Sequence, residues 1–152
     1  MGPNAENLPE PRRHTKSIGQ HAEAVIIAKL LEVGYKVLVP YLGGNLRYDL
    51  VIEDVDEKFW RVQCKTGKLY KSHEYIEFNA SSSYYHHSQE STTWGRKSYQ
   101  GQIDYFAVYC PDTKSTYLVP VDHAPGTEGR LRLLPTRNGQ EKNIRWAKDY
   151  EI

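Results

Sequence analysis

Residues 47–66 read RYDLVIEDVDEKFWRVQCKT. The stretch predicts a β-hairpin. Over 47–53, Tyr48, Leu50 and Ile52 fall on one side and Arg47, Asp49 and Val51 on the other. Over 58–66, Trp60, Val62 and Cys64 fall on one side, and Phe59, Arg61, Gln63 and Lys65 on the other, because successive strand side chains point to opposite faces. The linking DVDEK segment supplies Asp turn chemistry. If the two apolar sides share a core, Asp49, Gln63 and Lys65 converge on one polar patch. A carboxylate, an amide oxygen and an ammonium held on paired strands suit a hard divalent cation with a phosphate beside it. Against this stands the plainer alternative of a cross-strand ion pair worth little, so the surrounding chain has to decide.

With 152 residues, the chain is long enough for one domain with a closed core. A mean hydropathy of −0.70 and the lack of a long apolar run argue against a membrane span, and the first residues lack the apolar centre of a signal peptide. Cys64 and Cys110 fall within expected strands, with no metal-site spacing between them. They read as small buried residues of a reducing compartment, and cytoplasm is the expected location. The net charge of +1 is not that of a strongly basic nucleic-acid binder. The charge is uneven, however: Lys65, Lys68 and Lys71 follow the second strand with Tyr70 among them, and Arg96 and Lys97 lie in a polar stretch. Basic residues interleaved with aromatics suit phosphates and bases, although such runs also occur on ordinary solvated faces.

Along the chain, residues 1–14 are rich in Pro, Asn, Glu and Arg and are expected to form a flexible arm, with the remainder, 15–152, as the folded domain. Ser17 and Gln20 have capping-box spacing ahead of a helical stripe of Ala22, Ile26, Leu30 and Val33, so a helix is expected over 18–33, stopped by Gly34. Glu23 lies on the flank of that stripe. A short strand over 35–40 ends at a proline. Tyr75 to Phe78 alternates as a strand. The segment 79–100 has no apolar periodicity and is expected to be a long polar loop, with room for a short helix inside it. Zinc at His86 and His87 is rejected, since adjacent histidines lack partners at ligand spacing. The run 103–110 reads as a buried strand, 115–121 as its partner, and the last ten residues as a helical turn or edge segment tucked down by Trp146.

A helix bearing an acid, a short strand, a hairpin bearing D…QxK and a further strand pair appear in that order. The segments TKSIGQHAEAVIIAKLLEVGYKVLVP (15–40), NLRYDLVIED (45–54), FWRVQCKTG (59–67), GQIDYFAVYCPDTKSTYLVPV (101–121) and NIRWAKDYEI (143–152) carry the match. The chain resembles the PD-(D/E)XK nucleases, and within them the group I intron homing endonucleases of this fold. The resemblance implies an α/β, restriction-endonuclease-like mixed β-sheet flanked by helices, with an αβββαβ core.

The same resemblance makes Glu23 the helix acid that assists the metal, Asp49 the main carboxylate ligand, Gln63 the occupant of a position usually held by Glu or Asp, and Lys65 the signature lysine. It implies Mg²⁺ as cofactor, with Mn²⁺ as a substitute, at Asp49, Gln63 and Glu23. It also implies hydrolysis of a phosphodiester with a 3′ oxygen as leaving group. Tyr48 stands where the motif has proline, and Gln63 removes one negative charge from the site. Double-stranded DNA is the expected partner, met by Lys68, Tyr70, Lys71, Ser81, Ser82, Arg96, Lys97 and Tyr99. Two strands cut by one site per chain call for a homo-oligomer, a dimer or the tetramer to which the resemblance points. The alternatives are a Holliday-junction resolvase on the same fold and a DNA-binding module whose catalytic centre has decayed.

Overall fold

The computed structural model describes residues 9–12, 14–70 and 72–152. Most of the expected arm and Lys71 lie outside the described residues. Helix α1 (Thr15–Glu32) starts one turn earlier than the capping pattern indicates: His14 is the N-cap and accepts the Lys16 N–H through Nδ1 at 3.4 Å, which places Ser17 inside the helix. The stop is as expected. Gly34 takes φ +104°, and its N–H and that of Tyr35 donate to the carbonyls of Leu31 and Leu30, satisfying the last turn with a residue that has no Cβ to strain.

Ten strands follow among the described residues: β1 (Lys36–Leu38), β2 (Leu50–Glu53), β3 (Phe59–Thr66), β4 (Lys68–Tyr70), β5 (Tyr75–Asn79), β6 (Ser81–His87), β7 (Thr92–Ser98), β8 (Tyr105–Cys110), β9 (Ser115–Pro120) and β10 (Glu128–Arg132). A five-stranded mixed sheet runs β1-β2-β3-β8-β9, antiparallel except for the parallel pair β3–β8. A second sheet runs β10-β5-β4, and β6 and β7 form a two-stranded sheet.

The apolar alternation of β8 shows how the layers assemble. Ala107 and Tyr109 face α1, where Ala22, Ile26 and Leu30 close over Leu50, Ile52 and Val62. Phe106, Val108 and Cys110 face the other way, into a cluster with Ile76, Phe78, Leu131, Tyr117 and Val119. A near-continuous apolar run is what a strand covered on both faces requires. Phe78 lies across its strand partner Gly129, where any side chain would overlap the ring.

The structure departs from the expected helical flanks here. Among the described residues α1 is the sole α-helix, and the opposite face of the main sheet is covered by β10-β5-β4. The chain between the parallel strands β3 and β8 crosses over as four strands. The reason lies in 68–100, where Tyr75 to Phe78 alternates as a strand and no sustained apolar stripe at helical spacing follows. The expected long polar loop, with its room for a short helix, is instead the hairpin β6–β7, fully registered from Ser81↔Ser98 to His87↔Thr92. At the C-terminus both expectations hold in part: a 3-10 turn (Ala147–Asp149) is followed by a bridge from Glu151 to Tyr117, and Ala147 rather than Trp146 is the buried anchor.

Candidate active site

The hairpin read from the sequence forms in the expected register, Leu50 opposite Val62 and Ile52 opposite Trp60. Its first strand is shorter than the alternation suggests. Pairing with β3 begins at Leu50, although β3 continues to Thr66, so the outer edge of β3 beyond Val62 is left without a strand. Asp49 occupies this notch. Its N–H still donates to Val62 O at 2.9 Å, while its carboxylate turns onto the exposed ladder: Oδ2 accepts the Cys64 N–H at 2.7 Å and Gln63 Nε2 at 2.8 Å. A side-chain oxygen thus replaces the missing strand carbonyl, which is how an unpaired ladder donor is satisfied.

Glu23 approaches from α1. Partial burial, and then the negative charge of Asp49, raise its carboxyl above its ordinary value. Asp49 is raised as well: burial outweighs the Cys64 N–H bond and the positive charge of Lys65, both of which lower it. The Cys64 thiol is driven far above the usual range by burial, then by Asp49 and Glu23. Two desolvated carboxylates that feel each other favour a cation between them.

Gln63 and Lys65 neighbour Phe106 and Val108 across the parallel pair, on the face away from α1. Gln63 presents its amide nitrogen to Asp49, so Oε1 faces away; rotation about its last side-chain torsion would exchange the two. Lys65 Nζ donates to Tyr99 Oη at 3.3 Å. The donor set suits a hard divalent ion: two carboxylates with raised proton affinity and an amide one torsion away from offering oxygen.

The structure divides the expected DNA-contacting residues. Lys68, Arg96 and Lys97 are exposed, and Tyr70 is open on β4 while stacked on Tyr75 at 6.0 Å. Ser82 is half-buried and accepts from Arg47. Ser81 is buried, bonded to Thr127 O and Arg96. Tyr99 is 5% exposed and packs edge-on against Phe106, inside the core rather than on the surface. The sequence reading gave no role to Arg47, whose guanidinium bonds Ser82 Oγ at 2.7 Å, Ser98 O at 3.0 Å and Gln102 Oε1 at 2.5 Å. Its place two residues before Asp49 on the same strand side was the available signal.

The fold is that of a nuclease. The family model for the PD-(D/E)XK endonuclease matches residues 13–152, and the chain belongs to that family. Among solved structures it is similar to a bacterial homing endonuclease, I-Ssp6803I, at 25% identity and a TM-score of 0.65, over 91% of this chain and 89% of that one. This match supports a restriction-endonuclease-like fold of the homing-endonuclease kind. A comparison with curated protein sequences gave no match.

Proposed function

We propose that this endonuclease hydrolyses phosphodiester bonds of duplex DNA with Mg²⁺, or Mn²⁺ in its place, at Glu23, Asp49, Gln63 and Lys65, in the manner of a homing endonuclease. The observation that carries the reading is the notch itself. It gathers Asp49, Gln63 and the Lys65 strand at an unpaired ladder edge, with Glu23 close enough to feel the charge of Asp49. Asp49 and Glu23 would hold the cation, and Gln63 would join them through Oε1. The ion, when bound, would supply Lewis acidity toward the phosphodiester and acidify a water molecule. Lys65 contributes a fixed ammonium beside Asp49, suited to orienting that water or offsetting charge developing on phosphorus. The DNA-facing residues in this reading are Lys68, Tyr70, Arg96, Lys97 and the rim at Ser82; Lys71, outside the described residues, belongs to the same basic run.

A homo-oligomer is part of the proposal, because one site per chain cuts one strand. Leu38 on the open edge of β1 and the adjoining Val39, Tyr41, Leu42 and Leu46 support it: all are large apolar side chains left exposed, and patches of this kind mark association surfaces. No described helix is long and apolar enough to cross a membrane. A cytoplasmic setting is proposed from the two free thiols.

The test is cleavage of a pool of linear duplexes and four-way junctions, in Mg²⁺ and in EDTA, by wild type and Lys65→Ala. Metal-dependent cuts in duplexes that vanish in the variant are expected. Preferential cutting of junctions would overturn the substrate assignment, and metal-dependent binding without cuts would overturn the activity.

A further inference from the structure

Tyr99 is the first residue after β7, where the hairpin returns to the core, and it turns the chain toward β8: its carbonyl accepts the N–H groups of Gln102 at 3.0 Å and Ile103 at 3.3 Å. The ring is wedged edge-on against Phe106 with centroids 5.6 Å apart, so its position is set by the core. Two cations use that ring. Lys65 Nζ donates to the hydroxyl at 3.3 Å and stands 4.7 Å from the ring centroid. Arg47 Cζ stands 4.1 Å from the same centroid. Both lie within the range in which a cation is drawn to an aromatic face.

Arg47 makes a second set of contacts that has no part in the catalytic constellation. Nη1 donates to Ser82 Oγ on β6, and Nη2 to the carbonyls of Ser98 at 3.0 Å and Lys97 at 3.4 Å on β7. It therefore clasps both strands of the hairpin at its root. The rest of the hairpin has no such support: Tyr84, Tyr85 and Trp94 are exposed, and a two-stranded ribbon without a covering layer is marginally stable in water. Arg47 is thus the joint between a ribbon with little support of its own and a ring that touches the signature lysine.

We infer that Tyr99 is a positioning residue for Lys65, and that Arg47 ties this placement to the hairpin root, so that a hairpin engaged on nucleic acid and a correctly held lysine are one state of the protein. The inference rests on Lys65 being the lysine of the proposed nuclease centre. A free lysine side chain samples many rotamers, and its ammonium is a compact charge without the built-in fork of arginine. The hydroxyl and ring of a core-fixed tyrosine remove that freedom before substrate arrives, which is the preorganisation that electrostatic stabilisation depends on.

The experiment has a part that needs no substrate. In protein with isotope-labelled lysine, the ε-methylene signal of Lys65, assigned by its loss in Lys65→Arg, is expected to be displaced from the other lysines by the Tyr99 ring. In Tyr99→Phe, which keeps the ring and its packing, the signal should shift toward the bulk lysine position as the ammonium is released. The same shift is expected in Arg47→Ala, with Arg47→Lys as the milder substitute if that variant does not fold. A Lys65 signal unmoved in Tyr99→Phe overturns the positioning role; one unmoved in folded Arg47 variants overturns the coupling. On a duplex that wild type cuts, Tyr99→Phe should lower the single-turnover rate about tenfold with DNA affinity changed less than about twofold. Equal rates in wild type and Tyr99→Phe overturn the proposal. If wild type cuts none of the pool, the nuclease reading fails, while the Lys65 signal still decides whether Tyr99 holds the lysine.

Discussion

Gln63 donates through Nε2 to Oδ2 of Asp49 at 2.8 Å. The residue in the signature's acid position therefore meets its neighbour as a hydrogen-bond donor, not as a second negative charge. That bond neutralises no charge, but it occupies the oxygen that the Cys64 N–H also uses.

Gln63→Glu replaces this donor with a carboxylate facing Asp49. Without metal the like charges repel, and the melting temperature should fall by about 2–4 °C, the size of a change near 1 kcal/mol in a chain of this length. With the added charge the apparent Mg²⁺ dissociation constant should fall about tenfold, and metal-dependent cleavage should persist. Calorimetric titration and thermal melts with and without Mg²⁺ read both effects. A variant that folds but binds no metal and cuts nothing would show that the neutral amide is required.

Asp49→Asn keeps an oxygen for the Cys64 N–H and removes a desolvated charge. The variant should melt about 2–4 °C above wild type in EDTA, yet gain nothing from Mg²⁺, which should stabilise wild type through binding to the folded state. A variant that is less stable in EDTA would mean that the hydrogen bonds at Oδ2 outweigh the cost of the charge.

The pH dependence follows from the raised carboxyls of Glu23 and Asp49. Both hold protons more tightly in the folded than in the unfolded chain. Stability from this pair is therefore greatest at low pH and is lost as pH rises from the ordinary carboxylate range through their raised values. Metal binding has the opposite slope, since protons compete for the same oxygens. Mg²⁺ affinity should fall with acidification at a pH above that of an ordinary aspartate, and Asp49→Asn should reduce both slopes, leaving the part that burial of Glu23 supplies. Urea titrations across pH in EDTA and in Mg²⁺ would measure them.

At the second sheet, Gly129→Ala would drive a methyl into the Phe78 ring. A loss of about 1–3 kcal/mol is expected, as for other overpacked cores, read by chemical denaturation. Because the site lies on the other sheet, cleavage by the folded fraction should be unchanged.

Arg96→Ala and Lys97→Ala together should weaken DNA binding across all sequences and lower the salt-dependence slope by about 2, one for each phosphate no longer neutralised. Affinity measured at several salt concentrations tests this. An unchanged slope would place the phosphates away from the hairpin.

The half of the molecule that carries the candidate site was legible in the sequence because it is amphipathic. Alternation in 47–66 fixed the register that joins Asp49 to Gln63, and the stripe of Ala22, Ile26 and Leu30 fixed the helix that brings Glu23. The hairpin β6–β7 was not legible. Most of its side chains face solvent on both sides, so no binary pattern distinguishes strand from loop. Tyr99 was read as a surface residue because it ends a polar run, although it is the point where the chain re-enters the core. The three-stranded sheet was missed because β4 is only three residues long and β10 pairs with β5 across a large sequence gap.

The bonds of the site also differ in how far apart their partners lie along the chain. Asp49 and Gln63 are 14 residues apart, within one hairpin, whereas Lys65 and Tyr99 are 34 apart and Arg61 and Asp104, which bridge the parallel strands, are 43 apart. Closing short loops is fast, and long parallel pairing is slow. A growing or refolding chain should therefore bring Asp49 and Gln63 together before Lys65 has an anchor. On the proposed reading such a chain would hold its cation ligands before its lysine is in place, and the long crossover contacts would set the pace at which full activity is reached.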